Sequence, residues 1–260
     1  MVHFSHFAST ARASRKFIDA PGVESRARPG KLATQQSPVI RGHFDKDQSV
    51  EVREVAIPPL GLAGIVRLPS KPTGLVVFAH GSGSSRQSPR NNSVANAFSA
   101  RHIATLLFDL LTPDEEGDRR NVFDIPLLAD RLIDAIDWID RWPAVAGLPL
   151  GLFGASTGAA AALVAAARLG DRVSAIVSRG GRPDLADKAL ERVEAPTLLI
   201  VGGADTDVID LNEQALARLK GPKRLQIVPG ATHLFSEPGA LDAVTDHAAR
   251  WFQEHLRRAA

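Results

Sequence analysis

Residues Leu150–Leu163 read LGLFGASTGAAAAL. A short apolar strand runs into Gly154-Ala155-Ser156-Thr157-Gly158, and an alanine-rich helix follows at once. This is G-x-S-x-G in the strand–turn–helix context that gives the motif its meaning. The turn is too tight for side chains two before and two after its apex, so both flanking positions are glycine. The apex serine is pushed outward. The helix starting there offers unpaired N–H groups and the positive end of its dipole. Ser156 therefore reads as a nucleophile rather than as a plain helix cap.

Working outward, the punctuation is regular. Val50–Ile57 (VEVREVAI) alternates and reads as an exposed or edge strand, with Leu62–Leu68 as its antiparallel partner. Leu75–Ala79, Thr105–Phe108, Leu150–Phe153, Ala175–Val177, Thr197–Val201 and Leu225–Val228 are continuous apolar runs, as expected of strands buried on both faces. Helical patterns lie between them. Asp124 caps one with Pro126 in its first turn, and Ile125, Leu128, Leu132, Ile136 and Ile139 form its apolar stripe. The small-residue helix Thr157–Leu169, then Leu211–Leu219 and Ala240–Leu256, complete the set. The sum is an α/β fold: a mostly parallel sheet of about eight strands with helices on both faces.

Composition narrows the function. With 260 residues, 44% of them hydrophobic, the chain holds one large domain. The net charge is +2 and no basic stripe or stacking aromatics suggest nucleic acid. No apolar run reaches membrane-spanning length. Cysteine is absent, which rules out disulfides, thiolate metal sites and a cysteine nucleophile and is compatible with a cytoplasmic location. No cofactor or metal motif stands out. Residues 1–45 carry Arg12, Arg15, Lys16, Arg26, Arg28 and Lys31 against Asp19 and Glu24 nearby, and read as a disordered basic tail before the domain at 46–260. Before Asp19 the tail resembles a transit peptide; the simpler reading is a solvated extension.

A serine hydroxyl needs a base, and the base an orienting acid. On a sheet with such a turn, acid and base follow the serine in that chain order. The acid candidate follows Thr197–Val201 in GGADTDV: Asp205 first, Asp207 its main rival, Asp184 third. The base candidate is His233, the one of eight histidines that lies past the acid in a Gly-containing loop after a strand. His80-Gly81-Ser82-Gly83 turns after Leu75–Ala79 and aims backbone N–H groups at the nucleophile. The N–H groups of Ser82 and Thr157 are the expected oxyanion hole. His80 reads as a structural hydrogen-bonding residue.

With these segments in view, the chain resembles an α/β-hydrolase of the dienelactone-hydrolase family, in particular a bacterial branch with members fused to phosphoribosyltransferase domains. The resemblance rests on FAHGSGSSRQSPRN (78–91), LLFDLLTPDEE (106–116), GLFGASTGAAAAL (151–163), VSRGGRPDLA (177–186), LLIVGGADTDVIDLN (198–212) and VPGATHLFSEPGAL (228–241). It implies the α/β-hydrolase fold and Ser156, Asp205 and His233 as a triad. Dienelactone hydrolases proper carry a cysteine nucleophile, where this chain has serine.

The stretch from Arg179 to Ala195 has room for one short helix and not for a cap domain, so an open site for small or polar substrates is expected. Arg86, Arg90, Arg179 and Arg182 gather in loops at the catalytic edge. Two readings stand: they brace loops by pairing with Asp109, Asp114, Glu115, Glu116 or Asp184, or one of Arg90 and Arg179 binds an anionic substrate group. The leading function is hydrolysis of a carboxylic ester or lactone. The same triad acting on a thioester, a peptide or in perhydrolysis is one alternative; a non-catalytic ligand-binding protein is another. A small molecule is the expected partner, and the oligomeric state is not legible.

Overall fold

The computed structural model describes residues 41–45 and 50–256. The tail expected over 1–45 therefore lies mostly outside the described residues, but its last five residues, Arg41–Asp45, form a strand, β1. The others are β2 (Val50–Ile57), β3 (Leu62–Pro69), β4 (Gly74–Ala79), β5 (Ile103–Phe108), β6 (Leu150–Ala155), β7 (Val173–Arg179), β8 (Thr197–Gly202) and β9 (Lys223–Val228). They build one sheet in the order β1-β2-β3-β5-β4-β6-β7-β8-β9. The run from β5 through β4 to β9 is parallel; β1, β2 and β3 are antiparallel. Eight of these nine were expected. The ninth, β1, pairs outside β2, so β2 is not the edge strand it resembles in the sequence.

Seven helices are present among the described residues: α1 (Pro89–Ser99), α2 (Pro113–Glu116), α3 (Arg119–Val122), α4 (Ile125–Ile139), α5 (Thr157–Leu169), α6 (Thr206–Arg218) and α7 (Ala240–His255). Alternate residues of each central strand feed two cores. Leu75, Val77 and Ala79 pack with α4 and α5, while Val76 and Phe78 pack with α1 and α7. Burying a leucine, valine or phenylalanine side chain here contributes about 1.5–3 kcal/mol, which is why these strands read as unbroken apolar runs. On α4 the Asp124 side chain accepts from the Leu127 N–H at 3.0 Å, and the whole expected stripe is buried. On the second face Phe78, Phe98, Phe153 and Phe252 meet at centroid distances of 4.8–6.0 Å.

Helix α1 is partly polar because half-buried Asn92 and exposed Asn96 answer a charge. Arg67 of β3 is buried, and its Nε and Nη2 donate to Asn96 and Asn92, one helical turn apart, at 2.9 and 2.5 Å. Between β7 and β8 the chain makes only a short 3-10 stretch, Pro183–Arg192, and no cap domain.

Candidate active site

Strand β6 delivers Ser156 at the carboxyl edge of the sheet. Its φ and ψ are 51° and −122°. This left-handed conformation costs a non-glycine residue about 1–3 kcal/mol and persists only where the surroundings hold it. Two loops do so. The Ser156 N–H donates to the Arg179 carbonyl at 3.3 Å, and the Ser156 carbonyl accepts from the Arg182 N–H at 3.1 Å. The glycines are required by contact. A methyl group at Gly158 would lie 2.2 Å from the Ala79 oxygen, and one at Gly154 would lie 2.4 Å from the Ala159 Cα. Ser156 itself is half-buried between buried neighbours, so its hydroxyl remains reachable.

The loops after β8 and β9 bring the acid and base candidates together. A methyl at Gly202 would lie 2.3 Å from the Ala231 oxygen, and the Ala204 N–H donates to that oxygen at 2.9 Å. This close packing sets His233 Nδ1 2.7 Å from Asp205 Oδ2. Asp205 occupies the N-cap position of α6, yet its side chain makes no capping bond. Asp184 is held by Arg182 through two bonds of 2.8 and 2.7 Å; Asp207 lies in the first turn of α6, and among the described residues it is Asp205 that bonds the histidine. Gly180 connects the elbow to the base: it follows Arg179, and a methyl there would lie 3.7 Å from His233 Cε1.

The His80–Gly83 turn passes directly over the nucleophile, where a methyl at Gly81 would lie 3.6 Å from Ser156 Oγ. The Thr157 N–H has no partner among the described residues. The Ser82 N–H is engaged: it donates to Thr157 Oγ1 at 3.1 Å. The two expected oxyanion donors are thus adjacent, but only one is open in this state. No sequence pattern announces that contact, because it depends on one threonine rotamer. His80 is half-buried, with Nδ1 3.0 Å from the Gly81 oxygen and Nε2 accepting from the Leu110 N–H at 3.1 Å. Burial lowers its pKa below the ordinary 6.5, so it is a neutral brace with both nitrogens occupied.

Beside the turn lies a cleft of about 70 Å³, lined among others by Gly81, Ser82, Leu110, Leu111, Leu128 and Thr157. It has room for several non-hydrogen atoms. The arginines are not all in loops as expected. Arg90 lies in the first turn of α1, and Arg179 is the last residue of β7. Arg86 pairs with Asp109, and Arg182 with Asp184.

An elbow serine on a mostly parallel, doubly covered sheet defines an α/β-hydrolase. A family model of the alpha/beta hydrolase domain matches residues 72–257, and the chain belongs to that family. The chain is similar to a dienelactone hydrolase from Anabaena variabilis whose crystal structure is known, with 53% identity and a TM-score of 0.77 over 81% of this chain and 99% of that one. It is 52% identical over 245 residues to a Mycobacterium tuberculosis protein whose name proposes a phosphoribosyl transferase. That match takes in 94% of this chain but only 52% of the relative, so the chain spans about half the relative's length. Est1E from Butyrivibrio proteoclasticus shares the fold at 15% identity, with a TM-score of 0.66 over 78% of this chain and 98% of that one. No helix among the described residues is long and apolar enough to cross a membrane.

Proposed function

We propose that the chain is a serine hydrolase that cleaves a carboxylic ester or lactone of a small molecule, working in the cytoplasm. The observation that carries this reading is the 2.7 Å contact between His233 Nδ1 and Asp205 Oδ2, in the loop that lies against the strained Ser156 elbow. With Nδ1–H donating to the carboxylate, Nε2 is left as a base for the Ser156 hydroxyl. Ser156 Oγ attacks the acyl carbonyl, and His233 takes its proton. The imidazolium, held by Asp205, returns that proton to the departing alkoxide. Water then attacks the acyl-enzyme with His233 again as base. The Thr157 N–H, and the Ser82 N–H once released from the Thr157 hydroxyl, face the developing oxyanion.

The dienelactone hydrolase similarity supports a hydrolase. The transferase name belongs to a relative twice as long, and nothing at this site calls for that activity. The test is labelling by a fluorophosphonate probe and turnover of 4-nitrophenyl acetate, with Ser156→Ala alongside. Both signals are expected in the parent chain and neither in the variant. Turnover that survives Ser156→Ala would overturn the reading.

A further inference from the structure

Helix α6 carries one residue that its packing does not call for. Its buried side is the stripe Val208, Asn212 and Ala215. An apolar residue would suit the middle of such a stripe, yet Asn212 stands there with no exposed surface. Burying a primary amide costs free energy unless its hydrogen bonds are made inside. Asn212 Nδ2 makes two. It donates to the Val208 carbonyl at 2.7 Å, within the same helix, and to the Gly181 carbonyl at 3.0 Å, in the loop after β7. Only the second bond joins separate parts of the fold, across 31 residues of chain.

The loop that receives this bond is the one on which the elbow depends. A methyl at Gly181 would lie 2.0 Å from Ser178 Oγ and 2.6 Å from Ala159 Cβ, so the glycine is pressed against β7 and α5. The residue after it, Arg182, donates its N–H to the Ser156 carbonyl at 3.1 Å. The residue before it, Gly180, lies against the base: a methyl there would be 3.0 Å from the His233 carbonyl oxygen. Helix α6 in turn starts at Asp205, which meets His233 Nδ1 at 2.7 Å. One amide therefore ties the helix of the acid to the loop that holds the serine and abuts the base.

We propose that Asn212 is a positioning residue: through Gly181, its amide sets the distance between Ser156 and the Asp205–His233 pair, and so governs acylation of the serine. This inference rests on the hydrolase reading. Asn212 is fully buried, so it acts through the loop and not on the substrate. A displacement of about 1 Å between reacting groups can slow such a step about 100-fold, whereas a tether of purely structural value would show in stability alone.

The experiment compares the full chain with Asn212→Ala, which removes the amide, and Asn212→Leu, which removes it but keeps the space filled. Leu219→Ala is the control, a cavity at the buried far end of the same helix. Each variant is assayed well below its own Tm. Single-turnover kinetics with 4-nitrophenyl acetate separate the acylation rate constant from the apparent Kd, and fluorophosphonate labelling reports the serine without a substrate. Both Asn212 variants are expected to lose about 10–100-fold in acylation and in labelling rate, with the apparent Kd within about threefold of the parent. The control should lose Tm and keep both rates within about twofold. Should Asn212→Ala not reach the parent's circular-dichroism spectrum, Asn212→Leu carries the same comparison. If the Asn212 variants slow no more than the control, or lose only apparent Kd, the proposal is overturned. If the parent itself shows no Ser156-dependent turnover or labelling, the hydrolase reading fails first, and this inference with it.

Discussion

Thr157→Val separates what the resting site needs from what the reaction needs. In the resting state the Thr157 hydroxyl accepts the Ser82 N–H at 3.1 Å. An oxyanion can take that N–H only by displacing the hydroxyl. A hydrogen bond of this kind contributes about 0.5–1.5 kcal/mol net. Ser82 is exposed, so water can replace the lost partner, and the cost to the folded state falls at the lower end, about 0.5–1 kcal/mol. For a domain of this size that lowers the Tm by about 1–4 °C. Valine matches threonine in shape, and the residue is buried, so packing changes little. The same 0.5–1 kcal/mol is no longer lost on the way to the transition state, and acylation should speed up about 2–5-fold. The assay is burst-phase acylation by 4-nitrophenyl acetate beside calorimetric melting. A variant that is less stable and faster fits the reasoning. A variant slowed tenfold or more would show that the hydroxyl shapes the oxyanion hole instead of occupying it, and the argument would fail.

Two further outcomes follow from the geometry. Asp205→Asn should lower kcat by about 10⁴ through loss of the imidazole tautomer, while Asp207→Asn stays within about twofold of the parent; equal losses in 4-nitrophenyl acetate turnover would reassign the acid. Gly158→Ala forces a methyl to within 2.2 Å of the Ala79 oxygen, so β4 and α5 must separate by about 1 Å. It should cost about 1–3 kcal/mol in a urea melt and at least about 10² in fluorophosphonate labelling rate, and a variant equal to the parent in both would contradict the close approach.

Much of this was legible in the sequence because burial on both faces leaves a plain signature. Strands β4 to β8 carry unbroken apolar runs since each feeds two cores, and α4 has both a cap at Asp124 and a complete stripe. Helix α1 buries a shorter stripe, Val94, Ala95 and Phe98, and its Asn92 and Asn96 serve Arg67, which lies 25 and 29 residues away in the chain. A local pattern cannot report a partner at that distance. Strand β1 is short, and its pairing with β2 is invisible in its own five residues. At the candidate site, the turns that carry Ser156, Asp205 and His233 were legible because each is a glycine-bearing turn that a close backbone approach requires. Which arginines would be neutralised was not, since Arg86 meets an aspartate from another loop. Nor was the contact between Ser82 and Thr157, which pairs residues 75 apart.

Helix α6 begins without a side-chain cap because the carboxylate in its N-cap position is turned to His233. A capping side chain there is worth typically about 1 kcal/mol. The fold therefore carries a standing deficit at that helix end for as long as the residue serves the histidine. Serine or asparagine at position 205 would restore the cap and remove the carboxylate that His233 meets. If the proposed hydrolysis is the function, drift away from it is downhill in stability at this position.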